Sequence, residues 1–203
     1  MSINITYPRK FLRRRAVLKK EIDETIGRIR RASPVGLHLG AGANKIDGMI
    51  NCDLFNEAAD KRIDGANLIE FKDRSVDLIE THHMIEHLSF EEACRSFQEW
   101  GRVLRPGGYL ILTCPDLTAV ALHWVKLSVK HRFKSYAAKR DYALKMIYGS
   151  QERSGMFHRS GYDRFQLETA LARQGLAVEF SYTPYPPRST PSLLIIARKT
   201  KRD

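Results

Sequence analysis

Two short apolar runs, at residues 35–39 and 49–52, constrain the fold more than any other feature of this sequence. The first run ends in Gly40-Ala41-Gly42, and the second ends on Asp53. In a parallel sheet, ligands bind at the carboxyl ends of the strands, and glycines there let the backbone approach a bound molecule closely. Because an acid at the next strand end can accept hydrogen bonds from two ribose hydroxyls, the pattern predicts a nucleoside site.

Composition indicates a globular protein of 203 residues, predicted as a single domain over 1–203. No apolar run approaches ~18 residues, so no membrane span is predicted, and the amino terminus does not resemble a secretory signal. The three cysteines form no CxxC pair, which favours the reducing cytoplasm. The net charge of +11 fits either a solvated basic surface or an acidic partner such as a phosphorylated sugar, a phospholipid headgroup or a nucleic acid.

Alternating strand and helix signals predict an α/β sandwich with a mostly parallel, seven-stranded sheet. The predicted strands lie at residues 35–39, 49–52, near Ile63, 76–80, 109–113, 176–182 and 192–198. The first two crossovers are too short for ordinary helices, and the last two strands are predicted to form an antiparallel hairpin. A helix over 90–104 begins at the capping residue Ser89, with Glu92 in the capping-box position, and Arg105-Pro106-Gly107-Gly108 is predicted to turn into the next strand. Asp163 is predicted to cap a further helix that continues to Arg173 and ends at Gly175.

Two further helical segments flank this pattern. Residues 1–33 contain a basic amphipathic helix from Pro8 to Arg31, interpreted either as a cover over the sheet edge or cofactor mouth, or as a peripheral contact with a membrane surface. Residues 117–150 are helical, basic and aromatic. They follow the fifth predicted strand, where an insert that covers the substrate is expected.

The glycine pattern does not fit a dinucleotide site, since Lys45 stands where the third glycine is needed and Asp53 follows Gly42 by only 11 residues. Residues 35–117 instead resemble class I S-adenosylmethionine-dependent methyltransferases of the type 11-like group, which have a Rossmann-like sandwich. The matching pieces are LHLGAG, INCD, FKDRSVDLI, HHMIEHL and RVLRPGGYLILTCPDL, followed by IYGSQ and FHRSGYD. The combination is most similar to a small bacterial subgroup linked to cell-surface glycan synthesis. The family often has Cys where Ala41 stands and Pro where Glu70 stands.

The resemblance implies S-adenosylmethionine as cofactor and assigns residues to it. The glycine segment would line the methionine and ribose, Asp53 would hold the ribose hydroxyls, and residues after the third and fourth strands would meet the adenine edge and the methionine. The implied cofactor-binding residues are Gly40, Ala41, Gly42, Asp53, Asp64, Gly65, Thr81 and His82.

Two histidines, His83 and His158, are candidate general bases, because a neutral imidazole can take a proton from a hydroxyl. Asp116 and Tyr162 are candidate substrate-binding residues. A purely structural role is the alternative for three of these residues. Asp116 would cap the following helix, His158 would belong to a loop held by local hydrogen bonds, and His83 would be structural.

The stretch from His83 to His87 also spells H-x-x-E-H, an inverted zinc-protease motif. A buried strand directly precedes it, Leu88-Ser89 interrupts any long helix, and the sequence shows no third ligand. We therefore predict no metal site and interpret His87 as a structural, hydrogen-bonded imidazole.

The predicted activity is O-methylation of a sugar, a glycan or a related hydroxylated small acceptor, with the basic insert binding a phosphate or carboxylate on it. One rival is a nucleic-acid-binding methyltransferase, favoured by the charge. The segment after the fourth predicted strand argues against this rival, because it reads ETHHMIEHL. Enzymes that methylate amino groups on bases resemble one another in having an Asn/Asp-Pro-Pro-aromatic sequence at that place. The other rival is a non-catalytic, cofactor-binding scaffold. The sequence leaves open the acceptor's identity, the oligomeric state and the assistance of a divalent metal.

Overall fold

The structure is a computed structural model that describes residues 9–129, 137–152, 154–183 and 191–200, with the backbone alone at 9–17 and 137–140. The chain divides into two compact units, Met1–Pro34 and Val35–Asp203. The first unit contains helix α1 (Arg9–Arg31), which confirms the predicted amphipathic helix. Its last turn carries Arg28, Arg30 and Arg31, cations that favour the negative end of the helix dipole. Among the described helices, none has the length and apolar character that crossing a membrane requires.

The second unit is built on a mixed, six-stranded sheet in the order β2-β1-β3-β4-β6-β5. The strands are β1 (Gly36–Leu39), β2 (Ile50–Cys52), β3 (Val76–His82), β4 (Leu104–Pro115), β5 (Leu176–Tyr182) and β6 (Ser192–Lys199). The helices are a 3₁₀ turn (Ile85–His87), α2 (Phe90–Val103), α3 (Leu117–Val129), α4 (Ala137–Tyr148) and α5 (Arg164–Ala172). β1 to β4 pair in parallel, whereas β6 pairs antiparallel with both β4 and β5.

The core explains why β1 lies inside the sheet. All four of its residues are buried, as expected for a parallel strand covered on both faces. The α2 helix packs Phe97 and Trp100 into this core. The indole N–H of Trp100 donates to the carbonyl of Gly65 at 3.0 Å, so this buried polar group is satisfied.

The predicted seventh strand near Ile63 is wrong for the described residues. Ile63 is buried, but only an isolated parallel bridge between Cys52 and Lys61 forms there. Two carboxylates accept hydrogen bonds from backbone N–H groups that could otherwise pair with a neighbouring strand. Asp60 accepts from the Asn51 N–H at 2.9 Å, and Asp64 accepts from the Ala66 N–H at 2.9 Å. Such local side-chain bonds compete with strand pairing.

The predicted turn at residues 105–108 is also corrected, because β4 begins at Leu104 and includes them. Leu104 pairs with Val76 and Tyr109 pairs with Leu78, so the intervening residues bulge out of the ladder. Gly107 supplies the left-handed conformation that this bulge requires, with φ of 83°. β3 is likewise longer than predicted and ends at His82.

The predicted capping box at Ser89 and the predicted cap at Asp163 are both confirmed. The Ser89 hydroxyl accepts from the Glu92 N–H at 3.2 Å while the Glu92 carboxylate accepts from the Ser89 N–H at 2.7 Å. Asp163 and Gln166 make the same reciprocal pair at α5, and Gly175 follows that helix with φ of 68°. The hairpin of β5 and β6 is confirmed as well. The predicted insert contains α3 and α4, and its residues 130–136 lie outside the described part.

Replacing the Ser89 cap tests how α2 is anchored. Ser89→Ala removes the acceptor for the Glu92 N–H, so we expect the free energy of unfolding to fall by about 1 kcal/mol. Urea denaturation followed by circular dichroism measures this loss. Glu152→Gln, at an exposed loop position, is the control. Equal stability of the two variants would contradict the anchoring role of the cap.

Candidate functional site

The tips of β1 and β2 are joined by one carboxylate, that of Asp53. Its Oδ2 accepts from the Gly42 N–H at 2.8 Å, and its Oδ1 accepts from the N–H groups of Phe55 and Asn56 at 2.8 Å each. Each carboxylate oxygen has two lone pairs, so Oδ2 retains the capacity for a further hydrogen bond. Three backbone donors therefore orient an anionic acceptor at this edge of the sheet.

The glycines beside Asp53 differ in what surrounds them. Gly40 and Gly42 both have positive φ, of 68° and 50°. A Cβ on Gly40 would lie 2.6 Å from Cγ of Met84, whereas a Cβ on Gly42 would meet nothing within 4 Å. A Cβ on Gly65 would also contact Met84, 3.1 Å from its sulfur. The side of Gly42 is therefore open, while the Met84 side chain lies across Gly40 and Gly65.

Gly65 and Asp64 reach the same edge from the loop after β2. A Cβ on Gly65 would lie 3.8 Å from Cβ of Leu39, the last residue of β1. Asp64 closes the loop locally through the Ala66 N–H. The structure thus brings Gly65 beside the tip of β1. Sequence reasoning missed Met84, because nothing in its residue type signals contact with two glycines that lie 25 positions apart.

Thr81 and His82 are the last two residues of β3, so their side chains point to opposite faces of the sheet. Thr81 is buried, and its hydroxyl has no hydrogen-bond partner among the described residues. The His82 ring lies between Glu80, with Nε2 2.7 Å from Oε1, and the Thr113 hydroxyl, 3.0 Å from Nδ1. The structure does not direct both side chains into one pocket.

His83 follows β3 in a left-handed conformation, with φ of 52°. Such backbone strain in a non-glycine residue is found preferentially at functional sites. Its Nδ1 lies 3.0 Å from Oε1 of the buried Glu86, and its Nε2 lies 3.3 Å from the Ser192 hydroxyl. With Glu86 ionised, Nδ1 donates and Nε2 is left with the lone pair that can accept a proton.

His158 follows α4 in the chain and also lies near Glu86. Its Nδ1 donates to the Met146 carbonyl at 2.9 Å, and its ring packs edge-on against His87 with centroids 4.8 Å apart. Burial lowers the pKa of His158, although the Glu86 carboxylate opposes this shift. The two histidines predicted as bases, His83 and His158, therefore share the same carboxylate neighbour.

Asp116 and Tyr162 have clear structural contacts. Asp116 Oδ1 accepts from the Ala119 N–H at 3.0 Å, which confirms the helix-cap interpretation, and its Oδ2 accepts from the Thr183 hydroxyl at 2.8 Å. Tyr162 is buried and packs edge-on against Phe97, 6.4 Å between centroids. Their contact with a substrate stays a prediction.

The residues at the sheet edge fit an adenosyl group. Asp53 offers a lone pair to a ribose hydroxyl, the side of Gly42 is open, and the Met84 thioether gives an apolar surface beside Gly65. An anionic acceptor beside a close backbone approach is a combination that nucleotide-binding α/β folds use.

Comparisons with known proteins agree with this geometry. The family model described as a methyltransferase domain matches residues 44–112. This match, to about a third of the chain, and the fold together support a class I methyltransferase. The protein is an enzyme, and S-adenosylmethionine is its cofactor. The comparison of this methyltransferase with curated proteins gives no significant match.

Solved structures share the methyltransferase fold. A SAM-dependent methyltransferase from Methanosarcina mazei is 17% identical with a TM-score of 0.59, and the match covers 83% of this chain and 93% of that one. One from Archaeoglobus fulgidus is 15% identical with a TM-score of 0.58, covering 91% and 94%. The 1,6-didemethyltoxoflavin-N1-methyltransferase of Burkholderia thailandensis, solved with bound 1,6-didemethyltoxoflavin and S-adenosylhomocysteine, is 13% identical with a TM-score of 0.54, covering 99% and 94%. At these identities the likeness establishes the fold of the methyltransferase and leaves its acceptor to other evidence.

The clamp formed by Asp53 is testable through stability alone. Asp53→Asn replaces one acceptor oxygen with an amide N–H₂ that faces a backbone donor, so we expect a loss of about 1–3 kcal/mol in the free energy of unfolding. Urea denaturation measures the difference. Asp47→Asn is the matched control, an exposed acid in the turn before β2. A loss no larger than that of the control would show that the clamp does not hold the strand tips.

Proposed function

We propose that this methyltransferase transfers a methyl group to a hydroxyl of a sugar, a glycan or a related small acceptor. The observation that carries the proposal is the pair of His83 and the buried Glu86 at the tip of β3. A hydroxyl is a poor nucleophile until its proton is removed, whereas a neutral amine needs only positioning. An imidazole held by a carboxylate is the arrangement that accepts such a proton.

The cofactor is assigned to the edge formed by β1, β2 and the loop at Asp64. Gly40, Ala41 and Gly42 would approach it through their backbone, and Asp53 would accept from the ribose. Asp64 and Gly65 would lie at the adenine edge, with Thr81 and His82 near the methionine. When bound, S-adenosylmethionine supplies a methyl group on a positively charged sulfur. The chain's task is to align the acceptor oxygen with that methyl carbon, ~3–3.5 Å away.

His83 is the stronger of the two candidate bases. Its Nδ1 donates to Glu86, so its Nε2 accepts, and the 3.3 Å contact between that Nε2 and Ser192 is long enough for an acceptor hydroxyl to replace it. Glu86 stabilises the imidazolium that forms when the proton arrives. His158 also stays neutral near pH 7, because burial lowers its pKa. Its Nε2 is therefore the second candidate acceptor.

The acceptor is proposed to be small and to carry an acidic group. Asp116 and Tyr162, joined through the backbone bridge between them, border the strand end where the acceptor would enter. The net charge of +11 and exposed cations such as Lys126 and Lys145 on α3 and α4 favour a phosphate or carboxylate on the acceptor. The Burkholderia neighbour holds a small bound molecule, which supports a small acceptor here. The free thiols of Cys52, Cys94 and Cys114 fit a reducing cytoplasm.

A pair of glycine variants tests the cofactor assignment. Gly42 and Gly48 both have positive φ and open space where a Cβ would stand, but only Gly42 lies at the strand tips. We expect Gly42→Ala and Gly48→Ala to cost a similar ~1–2 kcal/mol of stability, because both impose the left-handed conformation on alanine.

Calorimetric titration with S-adenosylhomocysteine then separates the two variants. Gly42→Ala places a methyl group where the backbone should approach the ligand, so its affinity should fall by at least about tenfold. Gly48→Ala should bind like the unmodified protein. Equal affinities would remove Gly42 from the cofactor site.

His83→Asn tests the base. With radiolabelled S-adenosylmethionine and a panel of methyl glycosides, sugar phosphates and amino sugars, we expect kcat to fall about 10²–10⁴-fold. KM should change little and cofactor affinity should not change. His123→Asn, at an exposed position of α3, is the matched control. Undiminished turnover by His83→Asn would contradict its role, and transfer to amino groups alone would contradict hydroxyl methylation.

A further inference from the structure

Three side chains, those of Glu86, His87 and His158, lie together next to His83. The proposed base mechanism gives His87 no role. A carboxylate oxygen of Glu86 and one ring nitrogen each of His87 and His158 all lie within 4.8 Å of one another. Glu86 and His87 belong to the 3₁₀ turn, whereas His158 follows α4. Glu86 and His87 are part of the H-x-x-E-H motif in the sequence. The fold brings His158 beside them, a contact that the sequence does not indicate.

Hydrogen bonds set which nitrogen of each imidazole is available. His87 Nδ1 lies 3.1 Å from the Phe157 carbonyl, and His158 Nδ1 lies 2.9 Å from the Met146 carbonyl. A carbonyl can only accept, so both Nδ1 atoms carry the proton and both Nε2 atoms carry a lone pair in the neutral rings. Metal-binding histidines are commonly oriented in this way, by a backbone carbonyl on the nitrogen that does not bind.

Glu86 contributes a buried carboxylate oxygen without a hydrogen-bond partner among the described residues. The residue is 2% exposed, and its Oε1 accepts from His83, so the oxygen in question is Oε2. A buried carboxylate oxygen left unpaired carries a desolvation cost that a hydrogen bond or a cation normally offsets. This unpaired oxygen therefore belongs to the residue whose carboxylate lies within 4.8 Å of ring nitrogens of His87 and His158.

We propose that Glu86, His87 and His158 form a binding site for a divalent first-row transition metal, with Zn²⁺ the favoured ion. Two imidazoles and one carboxylate form a ligand set that suits Zn²⁺ and its neighbours and disfavours Mg²⁺ and Ca²⁺, which bind through oxygen. Ligand atoms on a tetrahedral Zn²⁺ are about 3.3 Å apart, so the three side chains close on the ion by roughly an ångström. Three protein ligands leave a fourth position for water.

The site would join two parts of the chain that are 70 residues apart in sequence. The N–H groups of Arg159 and Ser160 already donate to the Glu86 carbonyl, at 2.8 and 3.2 Å. The His87 ring also donates to the Phe157 carbonyl, and a metal ion would add a further link between these segments through three side chains. Because Glu86 Oε1 remains on His83, the ion would also lie one carboxylate away from the proposed base. The metal site does not depend on methyl transfer, and a metal ion held by His158 would leave His83 as the base.

The test uses the full chain without an affinity tag, treated with EDTA and then dialysed. Titration calorimetry with ZnCl₂ should show one binding event per chain, and Co²⁺ should give visible d–d absorption in the same ratio. Zn²⁺ should also raise the thermal unfolding midpoint. MgCl₂ should give neither heat nor a shift.

Variants assign the ligands. His87→Gln and His158→Gln should each weaken Zn²⁺ binding by about 100-fold or more, and Glu86→Gln should do the same where circular dichroism shows that it folds. His123→Gln and Cys94→Ser, both at exposed positions, should bind like the unmodified chain and so exclude adventitious histidine or thiol sites. No saturable binding by the folded chain, or unchanged binding by both His87→Gln and His158→Gln, would overturn the site.

Discussion

Parallel pairing of β1 with both of its neighbours is the constraint on which the site depends. β1 has only four residues, yet it pairs with β2 on one side and β3 on the other. Their carboxyl ends therefore meet at one edge, where Gly40, Asp53 and His83 follow the three strands directly. Without a crossover helix between β1 and β2 in this described stretch, the Asp53 carboxylate and its backbone donors hold the tips in place.

The sequence predicts those structural features that residues close together in the chain determine. Ser89 and Glu92 form the capping box that their spacing indicates, and Asp163 forms the cap that its residue type indicates, because the donors and acceptors lie within one helical turn. The strand near Ile63 was predicted wrongly for a related reason. A single apolar residue is a weak strand signal, and the acids beside it, Asp60 and Asp64, accept hydrogen bonds from backbone N–H groups themselves.

The rest of the candidate site depends on contacts across long stretches of chain, which spacing does not encode. Met84 covers two glycines from different loops, and His158 reaches Glu86 from a segment beyond α4. The sequence identified His83 and His158 as interesting side chains but not the carboxylate that connects them. In the sequence, Glu86 stands out only as part of H-x-x-E-H, a motif that needs a third ligand, and His158 is distant from it in sequence.

The two outer strands of the sheet show how the fold limits unwanted association. β2 is three residues long, and the backbone of Asp60 and Lys61 already hydrogen-bonds to its outer edge, where Asp60 also pairs with Lys45. A partner strand therefore meets little unpaired backbone and a charged surface. β5, at the opposite edge, changes register between Val178 and Phe180, and Glu179 at that point lies 3.8 Å from Arg198. Short length, charge and a bulge each discourage a second chain from adding as a strand, so the exposed sheet edges resist aggregation.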